Sequence, residues 1–158
     1  MVRLAAAVDV EALFKRHFAM VYRLCYSYLG SPADAEDAAQ TVFLKLLDNP
    51  RRFQSEDHER AWLLVCASNL CKDLLKSAGR TRVYALPESE SSRMGTSDQL
   101  DETIDAVLSL PLKYKDCVYL HYYEGYKTGE IAKMLGIPGS TVRNRLREAR
   151  ELLRRKLE

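Results

Sequence analysis

Apolar side chains recur every three or four residues along most of this chain, which is the spacing of an amphipathic α-helix. The first such stretch begins at Asp9, a favourable N-cap, and ends at Gly30. The second begins with Ser31 as the cap and Pro32 in the first turn, and it ends before Pro50. The inward face predicted for this second helix is formed by Ala35, Ala38, Ala39, Val42, Phe43, Leu46 and Leu47.

A polar loop separates the second helix from a third, which is expected to run from about Glu59 to Ser77. The inward face predicted for the third helix holds Trp62, Leu63, Cys66, Leu70, Leu74 and Leu75. Three consecutive helices with short connections predict a small bundle. The stretch that follows has few apolar residues and no helical period, which indicates a flexible linker. We therefore expect a first domain over residues 1–79 and a linker over residues 80–97.

Helical spacing resumes at Asp98 and predicts a second helical domain over residues 98–158. Its first helix is expected to end at Ser109, and its second helix to begin at Pro111. The inward face predicted for that second helix holds Tyr114, Val118 and Tyr122. The whole pattern predicts an all-α protein, with two small helical domains joined by a flexible linker.

The segment from Thr128 to Leu146 has the pattern of a helix-turn-helix. We expect Thr128 to cap its first helix, Gly136 to form a sharp turn with positive φ, and Ser140 to cap its second helix. The apolar residues of the last helix recur at steps of four, three and four: Val142, Leu146, Ala149 and Leu153. That regular stripe leaves the other side of the helix free for polar contacts.

A DNA-binding helix-turn-helix inserts the N-terminal half of its second helix into the major groove. There an Arg can pair with guanine and an Asn with adenine, and hydroxyls and free N–H groups at the helix start can bind a phosphate. The candidate DNA contacts are Ser140, Thr141, Arg143, Asn144, Arg147 and Arg150.

Charge is segregated along the chain, although the formal net charge is only +2. Residues 31–49 hold four acids and one base, whereas residues 140–158 hold seven bases and three acids. This segregation indicates either two partners of opposite charge or two solvated helix faces.

Other features of the sequence exclude several classes of protein. No stretch reaches the roughly 18–20 apolar residues that span a membrane, and the apolar N-terminal run is too short for a secretory signal. The four cysteines are scattered without a CxxC pair, which favours reduced thiols over a disulfide framework or a zinc site. The three histidines have no Cys or carboxylate partners at metal or triad spacing. We therefore expect a cytoplasmic protein that is not an enzyme and has no cofactor, metal or small-molecule substrate.

Six short segments together resemble the extracytoplasmic-function (ECF) group of bacterial RNA polymerase sigma factors, within the sigma-70 family. They are residues 34–43, 61–69, 108–111, 123–126, 130–132 and 141–146. Their order and spacing agree with that family over residues 9–77 and 98–156. The resemblance implies a sigma-2-like helical bundle followed by a sigma-4-like helix-turn-helix domain. It also implies a subunit that binds core polymerase, recognises −35 and −10 promoter DNA and directs transcription initiation.

The resemblance assigns the acidic second helix to docking on the clamp helices of the polymerase β′ subunit. The matching residues and their neighbours are Asp34, Glu36, Asp37, Gln40 and Thr41. Thr41 stands where the family usually has Glu, so one charge of the docking set is absent. We therefore expect Val42 and neighbouring apolar contacts to contribute more.

The resemblance assigns the third helix and the loop before it to the −10 element, where a base leaves the stack and cations follow a single strand. The residues implied are Phe53, Arg60, Ser68, Asn69, Lys72 and Lys76. Ser68 stands where the family often has Arg, which removes one phosphate contact. Arg51 and Arg52 are expected to help shape the pocket, and Trp62 is either a core residue or a platform for base stacking.

In the second domain, the resemblance implies that Arg143, Asn144 and Arg147 read the −35 element and that the domain contacts the flap of the polymerase β subunit. Glu148 stands where a basic residue is common. It is expected to repel a nearby phosphate or to pair with another residue, either Arg145 or Lys156. Proteins of this kind commonly have an inhibitory anti-sigma partner, and nothing in this sequence identifies one.

Two other functions explain part of the pattern. A stand-alone helix-turn-helix regulator that binds operator DNA as a dimer explains the basic last helix, but it leaves the acidic helix and the segment around Asn69 unexplained. A helical adaptor that binds only proteins predicts no salt-dependent affinity for DNA.

Overall fold

The computed structural model describes residues 9–81 and 98–157, and every regular element in these two ranges is helical. The chain divides into two compact units, Met1–Ser77 (unit 1) and Ala78–Glu158 (unit 2). The prediction of an all-α protein with two small helical domains is confirmed. The predicted linker, apart from its first two residues, lies outside the described residues, and the domain boundaries placed from the sequence stay predictions.

The described part of unit 1 consists of three helices: α1 (Val10–Leu29), α2 (Pro32–Asp48) and α3 (Glu56–Thr81), the last of which continues past Ser77. Asp9 caps α1, because its carboxylate accepts the backbone N–H of Glu11 at 3.1 Å. Gly30 ends α1 in the left-handed conformation, with φ of 73°. Ser31 caps α2 through its hydroxyl, which accepts the N–H of Asp34. The ends predicted for the loop between α1 and α2 are therefore confirmed.

α3 begins earlier and ends later than the sequence predicts. Ser55 caps it, since its hydroxyl accepts the N–H of His58 and its carbonyl accepts the N–H of Glu59, both at 3.1 Å. The helix continues through Gly79 to Thr81. A glycine inside a helix costs only about 1 kcal/mol relative to alanine, so by itself it does not end one.

Two inward faces of unit 1 differ from the prediction. Leu47 of α2 is 57% exposed, because it lies about 100° around the helix from the buried Leu46. On α3, Leu74 is exposed, and Trp62 is only half-buried. The buried face of α3 consists of Leu63, Leu64, Ala67, Ser68 and Cys71.

The described part of unit 2 contains four helices and one π-helical turn: α4 (Asp98–Ser109), α5 (Leu112–Val118), the π turn (Tyr119–Tyr123), α6 (Thr128–Leu135) and α7 (Gly139–Leu157). In the π turn, the N–H of Glu124 donates to the carbonyl of Tyr119, five residues earlier. The wider turn changes which side chains point inward. Tyr119 and Leu120 are buried and Tyr122 is 46% exposed, so the inward position predicted for Tyr122 is wrong.

The corner between α6 and α7 forms at the predicted glycine. Gly136 ends α6 with φ of 70°, which confirms the predicted positive φ. The N–H of Ile137 donates to the carbonyl of Ala132 at 3.1 Å. Lys127 rather than Thr128 is the N-cap of α6, since the N–H of Lys127 donates to the carboxylate of Glu130 at 2.8 Å.

α7 starts one residue before the predicted cap. The carbonyl of Pro138 accepts the N–H groups of Thr141 and Val142, so Gly139 is already helical and Ser140 lies within the first turn. The predicted inward stripe is confirmed for Val142, Leu146 and Ala149, which are buried, and Leu153 is half-buried. None of the described helices combines the length and apolar character that crossing a membrane requires.

Candidate functional site

The solvent side of α2 carries the predicted docking residues. Glu36, Asp37 and Gln40 are exposed, whereas Asp34 and Thr41 are half-buried. Because residues 36, 37 and 40 are adjacent or three to four apart, the helix places them on one side. The hydroxyl of Thr41 donates to the carbonyl of Asp37 at 2.9 Å, within the helix itself. This surface is acidic and carries one amide.

Val42 does not belong to this surface. Its side chain is fully buried in unit 1, so the expectation that it supplies a partner contact is wrong. A buried valine stabilises the packing of α2 instead.

An apolar groove lies beside the acidic side of α2, between the first turns of α1 and the second half of α2. Its volume is about 640 Å³. Leu44 and Leu47 are each 57% exposed along it. The groove is lined by Val10, Phe14, Gln40, Phe43, Leu44 and Leu47, together with Glu11 and Lys15. Because Gln40 belongs to both, the acidic side and the groove form one continuous surface.

The loop before α3 packs on Trp62, which is the single tryptophan of the chain. The ring centroid of Phe53 lies 5.8 Å from that of Trp62 and 5.1 Å from that of His58. The guanidinium carbon of Arg51 lies 5.1 Å from the Trp62 ring centroid. The N–H of Gln54 donates to Nδ1 of His58 at 3.1 Å. The half-buried indole of Trp62 therefore contacts both Phe53 and Arg51 of the loop.

All but one of the predicted −10 residues reach solvent. The exposed members are Asn69 and Lys76, and the half-buried members are Phe53, Arg60 and Lys72. Ser68 is only 1% exposed, and its hydroxyl lies 2.8 Å from the hydroxyl of Tyr28 on α1. A side chain at that depth does not reach DNA, so the −10 contact expected of Ser68 is wrong. The hydroxyl instead joins α3 to α1.

A second polar contact joins α1 and α3, at the first turn of α3. Nη2 of Arg16 lies 3.0 and 3.1 Å from the two carboxylate oxygens of Glu59. Nε2 of His17 lies 3.1 Å from one of these oxygens, and the His17 and Glu59 side chains are only 5% and 14% exposed. Sequence spacing did not indicate this contact, because its partners are 42 and 43 residues apart.

The contact favours the ionised form of Glu59. Partial burial raises the pKa of Glu59, but the hydrogen bonds and charges of Arg16 and His17 outweigh it and hold the pKa below its ordinary value. The first turn of α3 therefore keeps a negative charge that two α1 side chains partner.

The exposed side of α7 carries the predicted −35 residues. Exposed members are Ser140, Arg143, Asn144, Arg147 and Arg150, and Thr141 is half-buried. They lie opposite the buried stripe of the helix, as in a recognition helix. The backbone N–H of Thr141 already donates to Pro138 at 3.0 Å, so that group is not available to a phosphate.

Two tyrosines contact side chains of α7. The hydroxyl of Tyr114 donates to Glu148 at 2.9 Å, and Arg150 donates to the hydroxyl of Tyr122 at 3.1 Å. The partner that the structure gives Glu148 is thus Tyr114, where the sequence led us to expect Arg145 or Lys156. Tyr122 reaches Arg150 because the π turn leaves it at the surface.

The four cysteines are free thiols, and no described cluster of His, Cys, Asp and Glu could hold a metal ion. Burial, followed by the charge of Asp116, raises the pKa of Cys117 to about 12. That thiol is therefore protonated at neutral pH and is a poor nucleophile.

Comparison with known proteins identifies both units. A family model described as Sigma-70 region 2 matches residues 13–81, and one described as Sigma-70, region 4 matches residues 100–153. The ECF RNA polymerase sigma factor SigL of Mycobacterium tuberculosis is 30% identical, over 98% of this chain and 92% of its own. SigW of Bacillus subtilis, also an ECF RNA polymerase sigma factor, is 31% identical over 96% of this chain and 89% of its own.

A longer relative matches as well. The ECF RNA polymerase sigma factor SigE of Mycolicibacterium smegmatis is 33% identical over 95% of this chain, which spans 62% of the length of SigE. Among solved structures, the sigma factor RpoE of Bartonella quintana, in complex with the anti-sigma factor NepR, superposes with a TM-score of 0.72 at 19% identity. That match covers 94% of this chain and 96% of RpoE, and it supports the same fold.

Proposed function

The chain belongs to the extracytoplasmic-function RNA polymerase sigma factors of the sigma-70 family, and we propose that its two units divide promoter recognition between them. Unit 1 docks on core polymerase through α2 and contacts the −10 element through α3 and the loop before it. Unit 2 contacts the −35 element through α7. The polymerase supplies the chemistry, and this chain is a cytoplasmic, non-enzymatic subunit that supplies recognition.

The single observation that carries the DNA-binding half of the proposal is the exposed side of α7. Arg143, Asn144 and Arg147 lie in its N-terminal half, directly after the glycine corner and opposite the buried stripe. Arginine can bind guanine, and asparagine can bind adenine, with two hydrogen bonds in the major groove. Arg150 lies farther along the helix, where a phosphate contact would fix the register.

The surface of α2 supports docking on the β′ clamp helices. Glu36 and Asp37 attract a basic partner and orient it, while Gln40 leads into the apolar groove. Because Val42 is buried, we assign the apolar contribution to Leu44 and Leu47, which are exposed. These leucines supply apolar area that a charged face alone lacks.

The outer side of α3 supports contact with the −10 strand. Asn69 can bind a base edge, and Lys72 and Lys76 are one turn apart, so they can follow phosphates along a single strand. The half-buried indole of Trp62 has Arg51 over its ring, and this guanidinium would compete with a base for that position.

Reconstitution with bacterial core polymerase tests the proposal. The full chain and core polymerase are mixed with a library of genomic DNA fragments, and the DNA retained is sequenced and transcribed. We expect retained DNA to share two separated motifs and to support initiation only when the chain is present. Failure of the chain to bind core polymerase would overturn the proposal.

A pair of variants on α2 tests the docking surface. Asp37→Ala should weaken binding to core polymerase several-fold, because it removes an exposed charge from the docking side. Asp48→Ala removes another exposed acid of α2 that lies outside the predicted set, and should change binding less than twofold. Equal losses in the two variants, or unfolding of Asp37→Ala, would remove Asp37 from the docking set.

The same reconstitution separates the other functions. A stand-alone regulator would retain DNA with a palindromic site in the absence of polymerase, and a protein adaptor would retain no DNA. An anti-sigma partner and contact with the β flap stay predictions from the family.

A further inference from the structure

We infer that Glu59 is a positioning residue: its contact with Arg16 and His17, the α1–α3 clamp, holds the loop of residues 51–54 in place over Trp62. The loop geometry does not depend on the proposed function. The expected effect of the loop on DNA opening does rest on the proposed function, because this loop belongs to the surface proposed to contact the −10 strand.

A short chain of contacts leads from the clamp to the loop. The N–H of Glu59 donates to the carbonyl of Ser55 at 3.1 Å, so the residue held by α1 is bonded to the cap of its own helix. The N–H of His58 donates to the hydroxyl of Ser55, and Nδ1 of His58 accepts the N–H of Gln54. The ring of Phe53 then packs between His58 and Trp62.

The α1–α3 clamp lies at the first turn of α3, where a helix is least constrained. First turns of helices fray, because their leading N–H groups have no partner within the helix. Three acids lie in the first turn of α3: Glu56, Asp57 and Glu59. Only Glu59 among them is drawn against α1, with charge-assisted hydrogen bonds to both of its oxygens.

The clamp also changes the field next to the loop. An unpartnered carboxylate beside a nucleic-acid strand repels phosphate, whereas a carboxylate bonded to Arg16 and His17 has a compensated charge. Glu59→Gln removes this charge together with the contact, so a loss of DNA opening in that variant reports the anchoring of the loop and not repulsion by Glu59.

Trp62 reports the loop directly, because it is the only tryptophan and both Arg51 and Phe53 contact its ring. Glu59→Gln keeps the shape of the side chain and removes its charge. In the full chain, we expect Glu59→Gln to raise acrylamide quenching of Trp62 about twofold and to shift its emission to longer wavelength, with the far-UV circular dichroism unchanged.

Tyr28→Phe is the matched control. It breaks a separate polar contact between α1 and α3, at Ser68, about 13 Å farther along α3. We expect Trp62 quenching in Tyr28→Phe to equal that of the wild type, even where its melting temperature falls. Unchanged Trp62 quenching in Glu59→Gln, or an equal change in Tyr28→Phe, would overturn the inference.

Arg16→Gln keeps the test decisive where Glu59→Gln fails to fold. Arg16 is partly exposed, so its loss disturbs the core less, and it should raise Trp62 quenching in the same direction by a smaller factor. An Arg16→Gln chain that folds with wild-type quenching would contradict the inference.

A holoenzyme experiment separates this inference from the proposed function. On promoter fragments retained by the wild-type holoenzyme, Glu59→Gln should bind core polymerase within twofold of wild type and open the −10 duplex about tenfold less, measured by permanganate reactivity. If the wild-type chain does not bind core polymerase, the proposed function is overturned. The quenching of Trp62 still decides whether Glu59 holds the loop of residues 51–54.

Discussion

α3 and α7 both carry proposed DNA contacts on one side and pack along the other, but they are held by different kinds of contact. α7 packs through a regular apolar stripe, Val142, Leu146 and Ala149, and its polar contacts with tyrosines lie at the rim. α3 buries a serine, and its polar contacts with α1 include those of Glu59 and Ser68. α3 therefore adds individual polar contacts to an apolar buried face, whereas the buried stripe of α7 is apolar alone.

This difference predicts that the two helices respond differently to substitutions that remove volume and to substitutions that remove a hydrogen bond. Removing methyl groups from an apolar stripe leaves a cavity, and its cost grows with the volume lost. Removing one partner of a buried polar contact leaves the other without its hydrogen bond, and this cost is nearly independent of volume. Variants that change one property and keep the other can test the comparison.

The largest effect is expected for Leu146→Ala in α7. Leu146 is buried, and its replacement by alanine leaves a cavity. We expect the free energy of unfolding to fall by about 2–5 kcal/mol, the usual range for a buried leucine. Denaturant unfolding followed by circular dichroism measures the change. Arg155→Ala, an exposed substitution on the same helix, is the control and should leave the free energy of unfolding nearly unchanged. A loss below about 1 kcal/mol in Leu146→Ala would contradict the importance of the stripe.

The second-largest effect is expected for Arg143→Ala, which should change the affinity for DNA and leave the stability of the protein unchanged. We expect a loss of about 1–3 kcal/mol in binding to the −35 motif and relaxed base preference at one position, because the proposed bidentate contact of Arg143 with a base is removed. Binding of the holoenzyme to promoter fragments with each base in turn measures both. A uniform loss across all sequences would instead indicate a phosphate contact.

Tyr28→Phe tests the polar packing of α3 at constant volume. It should cost about 1–2 kcal/mol, because the buried hydroxyl of Ser68 loses its partner. The double variant Tyr28→Phe/Ser68→Ala should recover part of that loss, since neither hydroxyl is then left alone. Additive losses in thermal unfolding of the single and double variants would contradict the pairing.

The smallest effect is a pH dependence that comes from Glu59. Because its pKa in the folded protein lies below the ordinary value of 4.5, the clamp adds stability that is fully present above that pH. The added stability disappears as the pH falls through the lowered pKa. The difference in unfolding free energy between wild type and Glu59→Gln should therefore shrink as the pH falls below 4.5. A difference that grows in acid would contradict the sign of the shift.

The sequence alone identifies the buried stripe of α7 and misses part of the buried face of α3, because the two faces differ in residue type. Leu146 and its stripe recur at helical steps, so periodicity identifies the buried side and the exposed arginines opposite it. On α3, the buried side includes Ala67, Ser68 and Cys71, which are small or polar and carry little hydrophobic signal. Ser68 was accordingly assigned to the wrong side.

Other structural features could not be predicted from the sequence, because they depend on residues far apart in the chain or on the local backbone conformation. Glu59 and His17 are 42 residues apart, so their contact exists only after α1 and α3 have packed. Lys127 caps α6 through its own N–H and Glu130, although Thr128 is the more favourable residue type. No residue type marks the π turn, and the inward position of Tyr122 was misassigned for that reason.

The π turn has a genetic consequence. A bond that spans five residues fits one residue more than an ordinary helical turn does, so the gene can lose a codon within residues 119–123 while the polypeptide stays helical there. Such a deletion would rotate Tyr122 away from Arg150 and free that arginine's side chain. Length variation at this site would thus change the surroundings of Arg150 without altering Arg143, Asn144 or Arg147.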